Sequence, residues 1–165
     1  MMRKSLSTAI LVLLGAGFAS ALPDTSKDIA AIDELMTAWH HAAAVADEET
    51  YFGLMAPGAI FLGTDVTERW TREEFREWAD PRFHGDAAWV YRARERNVHL
   101  GPAGTVAWLD EDLESESYWD CRGTAVLEKI EGRWKIRHYS LTFTIPNAAV
   151  SEIKPVVLRE MRRDR

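Results

Sequence analysis

The stretch that decides the fold is Arg122-Gly123-Thr124-Ala125-Val126-Leu127-Glu128-Lys129-Ile130-Glu131-Gly132-Arg133-Trp134-Lys135-Ile136-Arg137-His138-Tyr139-Ser140-Leu141-Thr142-Phe143. Glu131-Gly132 has the composition of a tight hairpin turn. The flanking residues alternate with period two, which predicts a long strand over 118–130 and a last strand over 133–145, stopped by Pro146-Asn147. Unbroken alternation sorts the last strand into two faces. Lys135 and Arg137 open one face and belong in solvent, so Tyr139, Leu141 and Phe143 are expected to follow them outward as an exposed apolar patch that marks a homodimer interface. Trp134, Ile136, His138, Ser140 and Thr142 are then expected to face inward.

Upstream, Gly101-Pro102-Ala103-Gly104 separates two further strands. In the first, Trp89, Tyr91 and Ala93 share one face and Arg92, Arg94 and Arg96 the other; in the second, over 105–114, Ala107, Leu109, Glu111 and Leu113 share a face. Before Trp89 the period is helical. Ile29, Ile32, Met36, Trp39 and Ala43 form one stripe of a helix over 28–46. Asp47 caps a short second helix with Tyr51, Phe52, Leu54 and Met55, expected to stop at Pro57-Gly58, and Ala59-Ile60-Phe61-Leu62 reads as a short strand. Thr71-Arg72-Glu73-Glu74 is a capping box for a third helix, which carries Phe75 and Trp78 and ends at Asp80-Pro81. Three helices followed by four antiparallel strands give the α+β class, with the helices packed on one face of a curved, mostly antiparallel sheet. Such a cone leaves a mouth that can hold a small ligand.

The chain has 165 residues, 47% of them hydrophobic and 28% charged, enough for one domain of ordinary soluble composition. Its net charge of −6 argues against nucleic acid as a partner, which demands a cationic surface. The single cysteine, Cys121, excludes an internal disulfide framework and a multi-cysteine metal site, and is expected as a small core residue. Adjacent His40 and His41 point about 100° apart on a helix and do not suit one metal ion, and no cofactor motif is present. Residues 1–21 have the pattern of a signal peptide: Arg3 and Lys4, an apolar run from Ala9 to Leu14, and Ala19-Ser20-Ala21. Export to a periplasmic or secreted location is therefore expected, with no stable membrane insertion after cleavage. The chain divides into the signal peptide, a short segment 22–27, a domain 28–147 and a basic C-terminal helix or tail 148–165.

The order of elements, the strand Gly132-Arg133-Trp134-Lys135-Ile136 and the segment Ala107-Trp108-Leu109-Asp110-Glu111 resemble the SnoaL-like domains of the nuclear transport factor 2-like superfamily, over about residues 28–147. The resemblance implies a cone-shaped fold, frequent homodimerisation through the outer sheet face and a deep, mostly apolar pocket. It does not imply one function. Ketosteroid isomerases of that superfamily use a tyrosine, a carboxylate base and an acid at positions that fall here on Trp39, on Gly63, and on Val126 or Leu127. None of these side chains can do that chemistry.

Trp39, Phe61, Trp78 and Tyr91 each fall on an apolar stripe or strand face and, with Ser140, are the candidate lining of a pocket for a small apolar or aromatic ligand. Glu111 faces the core unless a bulge at Asp110-Glu111-Asp112 turns it out, and desolvation there would raise its pKa. With His138 also inward, Glu111 and His138 become the candidate proton-transfer pair. The leading reading is an exported domain that binds a small molecule in its cone. An acid/base enzyme of cyclase, isomerase or dehydratase type, using His138 and Glu111, and a non-catalytic dimeric assembly module stay open beside it.

Overall fold

The computed structural model describes residues 25–163, so the expected signal peptide lies outside the described residues. Helix α1 (Ser26–Ala44) buries Ile32, Met36, Trp39 and Ala43 at three- and four-residue steps, the spacing that brings side chains onto one face. Ala46, at φ +55°, turns the chain, and Asp47 caps α2 (Glu48–Gly53) by accepting the Thr50 N–H at 3.0 Å. Helix α3 (Arg72–Ala79) opens on a complete capping box: the Thr71 hydroxyl accepts the Glu74 N–H, and the Glu74 carboxylate accepts the Thr71 N–H.

The strands are β1 (Met55–Leu62), β2 (Arg69–Thr71), β3 (Tyr91–Leu100), β4 (Val106–Ser115), β5 (Cys121–Ile130) and β6 (Arg133–Phe143). They form one sheet in the order β2-β1-β6-β5-β4-β3, with β1 parallel to β6 and the other neighbours antiparallel. Glu131 and Gly132 both take positive φ, which matches the right-handed twist of the β5–β6 hairpin. Helix α2 stops before Pro57-Gly58 because β6 draws the chain out early: Leu54 O accepts from Ile136 N at 3.0 Å, and Met55 already pairs with Ile136. Strand β2 has three residues, too few for an alternation to mark it in the sequence. A C-terminal helix, α4 (Val150–Arg163), follows the sheet and has no buried residue.

Two bulges decide which side chains reach the core. In β3, Ala93 pairs with Leu113 and Glu95 with Asp112, leaving Arg94 over. In β6, Ile136 pairs with Leu127 and His138 with Val126, leaving Arg137 over. One extra residue transfers every later side chain to the opposite face. Trp134 and Ile136 precede the bulge and are buried, as alternation requires. Beyond it the expected faces are exchanged. Tyr139 (1% exposed) and Leu141 (8%) enter the core, and Phe143 packs at its edge against Tyr118 and Trp119, so these three residues do not form an outer interface patch. His138, Ser140 and Thr142 instead lie on the outer side of the sheet. There His138 is the cross-strand neighbour of Val126, which pairs with Trp108; Val126 and Trp108 are both exposed. Arg137 is pinned at the bulge by hydrogen bonds to the Glu128 carboxylate and the Pro57 carbonyl.

Candidate functional site

Strand β4 keeps its ladder with β5 unbroken through Asp110, Glu111 and Asp112, so Glu111 stays on the inner face and is 0% exposed beneath α1. A carboxylate in such a place is costly unless donors surround it. Its Oε1 accepts from Tyr139 Oη at 2.8 Å and from His40 Nε2 at 2.7 Å; its Oε2 accepts from Arg96 Nε at 2.8 Å. Both Arg96 and Tyr139 arrive there because of the bulges upstream of them. Arg96 continues the chain of contacts to α1, donating to the Asp33 carboxylate, the Asp33 carbonyl and the Thr37 hydroxyl.

Burial pushes the Glu111 carboxyl upward, but the His40 hydrogen bond, the charges of His40 and Arg96, and the Arg96 hydrogen bond outweigh it and hold the group down at about 2. The raised value expected from desolvation is therefore reversed. An ionised carboxylate only accepts, so the proton of the 2.7 Å contact sits on His40 Nε2. Burial, and then the charge of Glu111, push the Tyr139 phenol well above its ordinary value and keep it a donor. Gly123, the cross-strand partner of Glu111, makes room for this: a Cβ there would lie 2.1 Å from Tyr139 Oη and 2.9 Å from Glu111 Cγ.

A cavity of about 330 Å³ opens elsewhere, between β1, β2, α3 and the start of β3. Phe61, Trp70, Phe75, Trp78, Trp89 and Tyr91 supply its aromatic wall, and Glu68 and Arg82 its charged groups. The capping box aims α3 so that Phe75 stacks on Phe61 at 4.0 Å and 14°, and on Trp70 at 5.5 Å and 12°. The Arg82 guanidinium lies 3.6 Å over the Trp78 ring. A more open cleft of about 510 Å³ runs between α1 and β3, with His40, His41, Arg92 and Arg94 among its lining residues. Its arginines are already engaged, Arg92 with Glu116 and Arg94 with Asp120, each at 2.8 Å.

Of the expected lining residues, Phe61, Trp78 and Tyr91 meet around the 330 Å³ cavity. Trp39 does not line it: at 2% exposed it fills the space between Tyr51 and Tyr139, with ring centroids at 4.6 and 4.5 Å. Among the described residues the buried Trp39 indole N–H has no hydrogen-bond partner. Ser140 and His138 lie on the outer face, so His138 and Glu111 are separated by the sheet and share no proton. The partner of Glu111 is His40, whose place four residues after Met36 on the buried stripe of α1 was the available signal. Arg96 and Tyr139 had no such signal. Glu68 and Trp70 join the cavity through the short β2 hairpin, which left no periodic trace. Cys121 is buried, as a core thiol should be.

A SnoaL-like domain model matches residues 32–146. The chain belongs to the SnoaL-like domain family. Solved structures of the nuclear transport factor 2-like fold agree with this SnoaL-like architecture. An NTF2-like protein of unknown function from Pseudomonas putida KT2440 superposes with a TM-score of 0.63 at 14% identity, over 74% of this chain and 90% of that one. A protein of unknown function from Mycobacterium tuberculosis gives 0.63 at 16% identity, over 77% and 78%. A provisionally named scytalone dehydratase from Novosphingobium aromaticivorans DSM 12444 gives 0.59 at 12% identity, over 73% and 87%. Identities this low establish a shared fold and nothing about activity. No curated protein matches the sequence.

The Glu111 network makes a stability prediction. Gly123→Ala should destabilise the fold by about 3 kcal/mol in urea unfolding, because it displaces Tyr139 and strands a buried charge. Glu111→Gln should lose a similar amount at neutral pH. The Glu111 pKa is lowered on folding, so its contribution is present above pH 4.5 and disappears as pH falls toward about 2. The stability gap between wild type and Glu111→Gln should narrow across that window; a constant gap would contradict the assignment.

Proposed function

We propose that this SnoaL-like domain is an exported domain that binds a small apolar or aromatic molecule in the 330 Å³ cavity. The observation that carries the reading is the composition of that cavity wall. Stacked rings from three separate elements line it, and flat apolar ligands gain both area burial and ring–ring contact in such a place. The proton-handling groups of the core stand apart from it. Glu111 is a saturated anion whose partners tie α1 to the sheet, and neither it nor His40 or Tyr139 lines the cavity. The pair His138 and Glu111 expected for an acid/base enzyme is divided by the sheet and does not meet beside this cavity.

Tryptophan emission should change saturably on titration with a small neutral aromatic such as 1-naphthol, and native mass spectrometry of freshly purified protein should show a co-purifying ligand. Trp70→Ala should weaken 1-naphthol binding roughly fivefold. Absence of any saturable signal together with a ligand-free mass spectrum would refute the reading.

The proposal includes export and a homodimer through the outer sheet face. Exposed Trp108, Val126 and Val106 support the latter, in place of the inward-turned Tyr139 and Leu141. Exported protein is expected to begin at Leu22 and to run as a dimer in light scattering, with Trp108→Glu monomeric; an uncleaved leader or a wild-type monomer would count against these two parts.

A further inference from the structure

The aromatic cavity holds two charged side chains that differ in how they are held. Glu68 is half-buried and fixed by the 63–68 turn: its Oε2 accepts the Asp65 N–H at 3.0 Å, and its side chain lies directly over Gly63, where a Cβ would come within 2.2 Å of Oε2. A side chain at residue 63 would push the carboxylate out of this position, so the glycine permits the placement. Glu68 makes no ion pair among the described residues, and its other oxygen is left for a donor in the cavity it lines. Burial pushes the Tyr91 phenol above its ordinary value, with contributions from Cys121, Tyr118 and, last, Glu68.

Arg82 is the opposite case. It is exposed, tethered through Nη1 to the Trp78 carbonyl at 3.0 Å, and lays its guanidinium on the Trp78 face. Aromatic faces carry negative quadrupole charge and attract cations, and here one face already holds one. A box of ring faces with one preset, unpaired carboxylate, in a chain of net charge −6, is complementary to positive charge.

We propose that this cavity selects an organic cation, an alkylated or aromatic ammonium group packed against Trp70 and Trp78 with the Glu68 carboxylate as its counter-ion. The proposal rests on the cavity being a ligand site, as argued above, and adds the chemical class of the ligand. Arg82 then acts as a resident cation that the ligand displaces from Trp78 or must avoid.

The test compares benzyltrimethylammonium, N-benzylacetamide and phenylacetate, a cation, a neutral molecule and an anion of similar size, by calorimetry and tryptophan emission on the full exported protein. The cation should bind about tenfold more tightly than the amide. Glu68→Gln should remove that preference, with an unchanged far-ultraviolet circular dichroism spectrum and urea midpoint reporting that the variant is folded. Arg82→Gln should tighten cation binding, the opposite sign from a site built for carboxylates. Phenylacetate binding best, and losing affinity in Arg82→Gln, would overturn cation selection and leave the cavity reading standing. Equal binding of cation and amide, or a preference that survives Glu68→Gln, would overturn it in the same limited way. Failure of all three probes to bind would overturn both.

Discussion

An ionised carboxylate beneath a helix in the middle of the core is the constraint around which this structure is arranged. Glu111 cannot be solvated there, so its charge has to be answered by protein donors. Three elements supply them: α1 through His40, β3 through Arg96 and β6 through Tyr139. Arg96 returns to α1 at Asp33 and Thr37, so the same network that neutralises Glu111 also seats the first helix on the sheet. Gly123 completes the arrangement from below by having no side chain. Such networks are not strong sources of net stability compared with apolar packing, but removing one member leaves a buried charge unanswered, which makes the arrangement hard to alter piecemeal.

That saturation bears on function. A catalytic carboxylate must exchange a proton or a bond with something that arrives, whereas Glu111 is held at about 2 with both oxygens occupied. The cavity proposed as a ligand site lies apart from it, walled by rings from β1, β2 and α3, whereas the open α1–β3 cleft is bordered by His40 and Arg96. Trp39, Tyr51 and Tyr139 pack the interior tightly, while Trp70, Trp78 and Trp89 stand around open volume. Phe61 and Phe75 belong to both groups, packed in the core and bordering the cavity. The SnoaL-like fold accommodates this readily, since its scaffold leaves the site chemistry to local side chains.

Much of the scaffold was legible in local chemistry. The α1 stripe, the Asp47 cap, the Thr71–Glu74 capping box and the Glu131-Gly132 turn act through neighbours within a few residues, so their outcome is written where they occur. The inward face of Glu111 was legible for the same reason, because β4 alternates without interruption. Phe61, Trp78 and Tyr91 border the cavity while Trp39, read from the same kind of apolar stripe, fills the core, because a stripe gives the facing of an element and not whether open space lies before it. The partners of Glu111 were harder. His40 sat on the buried stripe of α1, but a histidine there says nothing of which strand residue it will meet 71 positions later.

Sequence by itself determined the order of elements, their caps and turns, the family, and the burial of the one acid on an apolar strand face. Tertiary structure alone decided the facing of the chain beyond Arg94 and Arg137. A bulge is set by how two strands must fit each other and not by the residue that becomes the extra one; here both extra residues are arginines that suit solvent in either register. Because side chains alternate with period two, that single uncounted residue exchanges inside for outside all the way to the strand end, sending Tyr139 to the carboxylate and His138 to the far side of the sheet.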